Sequence, residues 1–143
     1  MSAVPGRLIA VDWGDKRIGL AITDELRMIA SPVGVITRRA GKRPPVAELL
    51  RRAQELEATA MIMGLPLDGN GDETPRCAEV RVVAEEVTKR SGMPVRLVDE
   101  RFTTAAAHRA IREMGGSTEG RKGDVDALAA TVLLQHAMAL QPE

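Results

Sequence analysis

The sequence predicts an α/β fold in which a mixed five-stranded sheet carries helices on both faces. Two runs rich in β-branched residues near the N-terminus are close enough to form an antiparallel hairpin. The runs after them alternate between strand-like and helix-like patterns, as in parallel β-α-β crossovers. The predicted order is βββαβαβα, with one further helix before the last. The chain has 143 residues, which we expect to form a single domain over residues 1–143.

The first three strands and the first helix are predicted from short apolar runs. The strands are residues 7–12 (RLIAVD), Arg17–Thr23 (RIGLAIT) and residues 32–37 (PVGVIT), and the first two are separated by a turn at residues 14–16. Within residues 46–57, apolar side chains recur at the spacing of one helical face. These four elements predict a β-meander followed by a crossover helix.

The second half of the chain continues the alternation. Residues 60–65 (AMIMGL) predict a buried strand, and residues 95–98 predict the fifth strand. Thr74 is a good helix cap and Pro75 a good first helical residue, so a helix is predicted from there through Lys89. Two more helices are predicted, from Thr103 or Thr104 to Gly115 and from about Asp124 to Leu140.

Composition excludes several classes of protein. Twenty Lys and Arg balance twenty Asp and Glu, so no net positive charge attracts nucleic acid at long range. A single cysteine excludes a disulfide framework and a cysteine-rich zinc site, and the two histidines do not form a zinc-protease pair. The apolar runs are shorter than the ~18 residues of a membrane helix, and the first residues do not resemble a secretion signal. We therefore expect a cytoplasmic protein that does not enter the membrane.

Three carboxylates occupy places where an unpaired charge is costly. Asp12 ends an apolar strand, Glu100 follows the apolar run 95–98, and Asp126 lies in the first turn of a largely apolar helix. Taken alone, each acid is explained as a residue that begins a turn or a helix. For the last helix, Asp124 is a better candidate for the cap than Asp126. Together they are expected to meet, because adjacent parallel strands present their carboxyl ends to one crevice. An oxygen-only cluster suits Mg²⁺ or Mn²⁺, and two such ions can hydrolyse a phosphodiester.

Four sequence blocks, in this order, resemble the YqgF/RuvX family, which is related to the Holliday-junction resolvase RuvC and has an RNase H-like fold. Each block is weak alone, but the four together are specific and span nearly the whole chain. The blocks are IAVDWGDKRIGLA (residues 9–21), GLPL with the loop that follows it (residues 64–76), DERFTT (residues 99–104) and KGDVDALAA (residues 122–130).

This resemblance implies a metal-dependent nuclease with an α/β, RNase H-like fold. It implies that Asp12, Glu100 and Asp126 are the catalytic and metal-binding acids, with Mg²⁺ or Mn²⁺ as the cofactor, in agreement with the reasoning from the residues. The roles proposed for the family are maturation of the 5′ end of pre-16S rRNA and resolution of branched DNA. The loop at residues 68–73 departs from the family pattern in having Asn70 where relatives commonly carry an acid. A catalytic role for this loop stays open.

Six residues near the acids are candidates for substrate binding. Cations beside a metal cluster can hold a phosphate group. For the two arginines the alternative is an ion pair with a neighbouring acid, and for the two threonines it is the capping of a helix. The six candidates are Lys16, Arg17, Arg101, Thr103, Thr104 and Lys122.

The remaining distinctive residues are expected to be mainly structural. Cys77 lies on the apolar side of its helix and should belong to the core. Strand alternation points Trp13 away from Asp12, so we expect it to pack beneath a helix, whereas Phe102 should share the side of Glu100 and line the cleft. His108 and His136 lie on predicted helices without metal-ligand partners.

Two other functions compete with the nuclease. An actin- or sugar-kinase-type phosphotransferase also follows a strand with Asp-x-Gly, as in residues 12–14, but needs two such domains. A non-catalytic adaptor would be expected to have lost one of the three acids.

The neutral charge and the small number of large apolar residues favour a monomer acting on one flexible RNA strand, since a resolvase needs a two-fold dimer. Branched DNA as the substrate and a weak dimer are the alternatives.

Overall fold

The computed structural model of the chain describes residues 4–39, 41–101 and 122–140, with the backbone alone for residues 122–124. The strands are β1 (Arg7–Trp13), β2 (Arg17–Thr23), β3 (Ala30–Thr37), β4 (Ala58–Leu65) and β5 (Val95–Asp99). The described helices are α1 (Val46–Glu55), α2 (Pro75–Ser91) and α3 (Lys122–Leu140). The helix predicted to start at Thr103 or Thr104 lies outside the described residues.

The five strands form one mixed sheet in the order β3-β2-β1-β4-β5. Strand β2 pairs antiparallel with both β1 and β3, whereas β4 pairs parallel with both β1 and β5. The predicted hairpin start and the two parallel crossovers are therefore confirmed. In this arrangement β1, β4 and β5 end at the same edge of the sheet, which we call the carboxyl edge.

Strand alternation sends the side chains of β1 to opposite faces of the sheet. Ile9, Val11 and Trp13 pack with residues of α1 and α2, on the side that we call the α2 face. Leu8 and Ala10 pack with residues of α3, on the side that we call the α3 face. Helices cover both faces, as predicted. Among the described helices, none has both the length and the apolarity needed to span a bilayer.

The two core clusters differ in the size of their side chains. Trp13 and a set of large aliphatic residues fill the α2 face, and Leu49 and Val80 contribute from the helices. On the α3 face, Ala10 and Ala21 pack against Ala130. The buried α2-face residues from the sheet are Ile9, Val11, Trp13, Ile18, Leu20, Ile22, Ile36, Met61, Met63 and Leu65.

Backbone geometry explains where two helices end. Helix α1 stops at Glu55, earlier than predicted, and Glu57 adopts a left-handed φ of 61° just after it. Helix α2 runs two residues beyond Lys89 to Ser91, because Gly92 takes a left-handed φ of 77° and its amide caps the carbonyl of Thr88.

The start of α3 corrects one prediction. The helix begins at Lys122, so Asp124 is its third residue and cannot be the cap that precedes it. Asp126 consequently lies in the second turn instead of the first. Lys122 and Gly123, which precede the predicted helix start, are therefore helical.

Candidate active site

Asp12 and Glu100 meet on the α3 face at the carboxyl edge. Asp12 lies in β1 opposite Gly19 of β2, and Glu100 directly follows β5. Between them is Gly64 of β4, where an added Cβ would lie only 2.5 Å from Oε2 of Glu100. The absence of a side chain at Gly64 therefore gives the Glu100 carboxyl room to cross β4 and hydrogen-bond to Asp12.

The hydrogen bond between these two carboxyl groups requires a shared proton. Burial, and then the hydrogen bond and negative charge of Asp12, raise the pKa of Glu100 to about 9. Burial and the negative charge of Asp126 also raise the pKa of Asp12. Glu100, which is only 9% exposed, is thus the protonated donor at neutral pH, and the Asp12 carboxylate accepts.

Asp126 reaches the same region because α3 lies directly on β2. A Cβ at Gly19 would lie 2.0 Å from the main-chain carbonyl oxygen of Asp126, so the close approach of the helix depends on glycine at this position. The Asp126 carboxylate accepts a hydrogen bond of 2.5 Å from Nε of Arg17. Its negative charge raises the pKa of Asp12.

The chemistry of these donors fits a hard divalent cation. All three side chains offer oxygen atoms, as Mg²⁺ and Mn²⁺ prefer. Within the described residues no three His, Cys, Asp or Glu side chains form a metal-ligand group, and Asp126 is paired with Arg17. A cation bound at Asp12 and Glu100 would take the place of the shared proton. The assignment of Asp12, Glu100 and Asp126 as catalytic metal ligands remains a prediction.

Of the predicted cations, Lys16 lies in the turn after β1, Arg17 begins β2, and Arg101 follows β5. Lys16, Arg17 and Asp126 help to line a cleft of about 260 Å³. The alternative considered for the arginines, an ion pair with an acid, is present for both. Arg17 pairs with Asp126 at 2.5 Å, and Arg101 pairs with Asp99 at 2.8 Å.

On the α2 face of the same edge, a polar cluster holds the β1–β2 turn. Trp13 is buried, as predicted, and its Nε1 donates to Glu79 of α2 at 2.9 Å. The guanidinium of Arg38 lies 5.2 Å from the centre of the Trp13 ring and donates to Glu79 at 3.0 Å and to the carbonyl of Gly14 at 2.9 Å. Arg38, and then the indole N–H, lower the pKa of Glu79. This cluster keeps Glu79 ionised and fixes the turn that carries Lys16 and Arg17.

Arg76 is a charged residue near the acids that the sequence reasoning did not select. It is the second residue of α2 and forms an ion pair with Asp15 of the β1–β2 turn. Its positive charge lowers the pKa values of Asp12 and Glu100, against the effect of burial. Arg76 belongs to the second sequence block, but its separation of 61 positions from Asp15 in the sequence made this contact impossible to predict from local patterns.

The structure also describes Cys77 and the loop at residues 68–73. Cys77 is fully buried, as expected, and its Sγ accepts a hydrogen bond from the amide of Thr74 at the start of α2. In the loop at residues 68–73, the Asp68 carboxylate accepts from the amides of Asn70 and Asp72 at 2.9 and 3.0 Å, which accounts for this acid as a turn residue.

Several predicted site residues lie outside the described part of the chain. They are Phe102, Thr103, Thr104, His108 and the side chain of Lys122. Their assignments remain predictions. His136, on the described part of α3, is exposed.

Comparison with protein families agrees with this geometry. A family model described as "RuvX: Holliday junction resolvase" matches residues 6–140. The chain belongs to the RuvX family. The predicted family membership is therefore confirmed, and the acid pair, Gly64 and the β1–β2 turn all lie within the matched residues.

Two RuvX relatives show how much of the chain is shared, and both carry the name "Putative pre-16S rRNA nuclease". The protein of Rickettsia bellii is 39% identical over 128 residues, which cover 90% of this chain and 82% of the relative. The protein of a Roseiflexus species is 37% identical over 135 residues, covering 94% and 95%. The family and these relatives are nucleases by name, which confirms the predicted enzyme class.

A solved structure confirms the RNase H-like fold. "T. thermophilus RuvC in complex with Holliday junction substrate" superimposes with a TM-score of 0.56, covering 94% of this chain and 95% of that chain. The sequences are only 13% identical, so the likeness concerns the fold alone.

Proposed function

We propose that this RuvX-family chain is a divalent-metal-dependent nuclease that cleaves a flexible RNA strand, in processing of the 5′ end of pre-16S rRNA in the cytoplasm. The observation that carries the proposal is the buried, proton-sharing pair of Asp12 and Glu100 on the α3 face, together with Asp126, whose negative charge acts on Asp12. Two carboxyls held together at a cost in solvation favour a cation that replaces their proton. The names of the relatives from Rickettsia bellii and Roseiflexus support pre-16S rRNA as the substrate.

Asp12, Glu100 and Asp126 would hold Mg²⁺ or Mn²⁺. When bound, such ions activate water and stabilise the leaving oxygen of a phosphodiester. Glu100 must lose its proton for this, so its high pKa opposes an occupied site at acidic pH and makes the preference for a cation pH-dependent.

Arg17 and Lys16 line the cleft next to Asp126, where they can bind a backbone phosphate. A phosphate there would compete with Asp126 for the guanidinium of Arg17, and so would release the third carboxylate. In this way substrate binding and the completion of the acid cluster are coupled through one arginine.

The charge distribution supports a single strand over a four-armed duplex. The chain has equal numbers of acidic and basic residues, so affinity must come from local cations beside the acids. A four-way junction would need many phosphate contacts spread over its arms. One cleft with a cationic rim fits a flexible strand better.

Cleavage of a substrate panel tests the proposal. Single-stranded RNA, a pre-16S 5′ segment, duplex DNA and four-way junction DNA are incubated with Mg²⁺, Mn²⁺ or EDTA. We expect metal-dependent cleavage of the two RNAs, loss of cleavage in EDTA, and loss in Asp12→Asn. Cleavage by Asp12→Asn at the wild-type rate would refute the role of the acid pair.

Resolution of branched DNA is the second candidate, and the description of the matched family favours it. A resolvase needs a two-fold dimer. The exposed large apolar side chains that could form a dimer interface include Leu26, Met28 and Ile29, which follow the end of β2 opposite to Arg17. We propose that the protein is nevertheless a monomer. A stable dimer in light scattering, with paired symmetric nicks in a junction and no activity on RNA, would favour the resolvase.

A further inference from the structure

Arg76 lines two clefts at the carboxyl edge, and one of them also contains Asp126. One is the cleft of about 260 Å³ that contains Lys16 and Arg17. The other, of about 640 Å³, is lined by Pro66, Thr74 and Glu79 together with Arg76. Arg76 lines both clefts, so a nucleic acid strand that occupied both would pass this side chain.

The ion pair of Arg76 is more exposed to water than that of Arg38. Its partner, Asp15, has a side chain that is 72% exposed, so water screens the pair strongly. Arg38, by contrast, is 14% exposed and is held by Glu79. A phosphate group, which accepts two hydrogen bonds from one guanidinium, can replace an exposed carboxylate such as Asp15.

We propose that Arg76 is a substrate-binding residue that holds a backbone phosphate next to the cleavage position and guides the strand from the larger cleft to the acids. The inference rests on the proposed nuclease function. It is supported by the position of Arg76, which lines the same cleft as Lys16, Arg17 and Asp126 and pairs with Asp15 of the β1–β2 turn. A phosphate bound at Arg76 would therefore lie in the cleft that contains Asp126.

A purely structural role would look different in a double-mutant cycle. If Arg76 only clamps the β1–β2 turn to α2, then Arg76→Gln and Asp15→Asn break the same contact and have the same effect, and the second substitution adds nothing to the first. If Arg76 binds phosphate, Arg76→Gln weakens binding, whereas Asp15→Asn removes a competitor and does not.

The experiment measures binding of a fluorescently labelled single-stranded RNA by anisotropy, over a range of salt concentrations. All variants carry Asp12→Asn so that the RNA is not cleaved. The matched control is Arg81→Gln on the same helix, because Arg81 is exposed and pairs with Glu73 outside both clefts. Thermal unfolding of each variant checks that it is folded, and Arg76→Lys provides a version that keeps the charge.

We expect Arg76→Gln to weaken binding by about 10-fold and to lower the slope of log affinity against log salt by about 0.7. The loss should persist in the Asp15→Asn background, Arg76→Lys should keep the wild-type slope, and Arg81→Gln should bind normally. Unchanged binding by Arg76→Gln, or no further loss in the Asp15→Asn background, would overturn the inference while leaving the nuclease proposal standing. No RNA binding by the parent protein would overturn both.

Discussion

The two faces of the sheet at the carboxyl edge are built on opposite principles. On the α2 face, large side chains such as Trp13 and Met63 fill the space between sheet and helices. On the α3 face, Ala10, Gly19 and Gly64 have a methyl group or no side chain at all. A helix and two carboxyls can therefore lie directly on the sheet. The comparison teaches that the α2 face holds the larger core, whereas the α3 face combines a smaller core, with Leu133 and Leu134, with a close approach of helix and carboxyls to the sheet.

The charges of the two faces differ in the same way. Glu79 on the α2 face is held by Arg38 and Trp13, and its pKa is lowered. Asp12 and Glu100 on the α3 face are buried against each other, and their pKa values are raised. Glu79 is therefore stabilised as an anion, whereas the two acids destabilise the fold when both are ionised. An acid pair of this kind is the expected position for a bound cation.

The largest effect should come from truncating the α2 face. Trp13→Ala removes a fully buried ring and leaves Glu79 without one of its donors, so we expect a loss of about 3–5 kcal/mol in the free energy of unfolding. Urea denaturation measures it. Val82→Ala is the matched control, because Val82 is 63% exposed on α2 and should change stability by less than about 0.5 kcal/mol. A similar small loss for Trp13→Ala would contradict the importance of this face.

On the α3 face the damaging change is enlargement. Gly19→Ala places a methyl group against the main chain at Asp126, which cannot move away without displacing α3. We expect a loss of about 1–3 kcal/mol in the free energy of unfolding, together with reduced cleavage. Gly69→Ala is the control, because an added Cβ there meets nothing within 4 Å. Equal stability of the two variants would show that α3 does not depend on this approach.

The raised pKa values predict that stability without divalent cations falls as pH rises. Because burial raises the pKa of Glu100 to about 9, the folded state holds more protons than the unfolded chain between about pH 5 and about pH 9. The stabilisation is complete below the unfolded pKa and is lost as pH approaches the folded pKa, with a slope on the order of 1 kcal/mol per pH unit. Urea unfolding in EDTA should give a flatter profile for Glu100→Gln. Identical profiles would exclude Glu100 as the titrating group.

The smallest effect, with the opposite sign, is expected at Glu79. Its pKa is lowered mainly by Arg38, so the stabilisation is present above the unfolded pKa and is lost as pH falls through the folded pKa. Because the Glu79 side chain is 34% exposed, Glu79→Gln should cost no more than about 1 kcal/mol at neutral pH. Thermal unfolding at neutral and acidic pH should show this difference shrinking as pH falls. A difference that grew on acidification would show that the assigned direction of the pKa shift is wrong.

Local patterns in the sequence were sufficient for the sheet and for the position of two acids. Alternation in residues 7–12 placed Asp12 and Trp13 on opposite faces, and apolar runs located β4 and β5. Contacts between distant segments could not be predicted in this way. The pairing of Arg17 with Asp126 spans 109 residues, and that of Arg38 with Glu79 spans 41. The role of Gly64 as space for Glu100 likewise appears only when β4 and β5 are side by side.

The two faces are compared most directly by measuring Mn²⁺ binding with titration calorimetry. The proteins measured are the wild type, Asp12→Asn and Glu79→Gln. At neutral pH the wild type should bind Mn²⁺ and release about one proton, seen as a dependence of the heat on the ionisation enthalpy of the buffer. Glu79→Gln should behave in the same way, because Glu79 lies on the α2 face, and Asp12→Asn should lose the binding. Equal Mn²⁺ binding by Asp12→Asn and the wild type would show that the acids of the α3 face do not form the metal site.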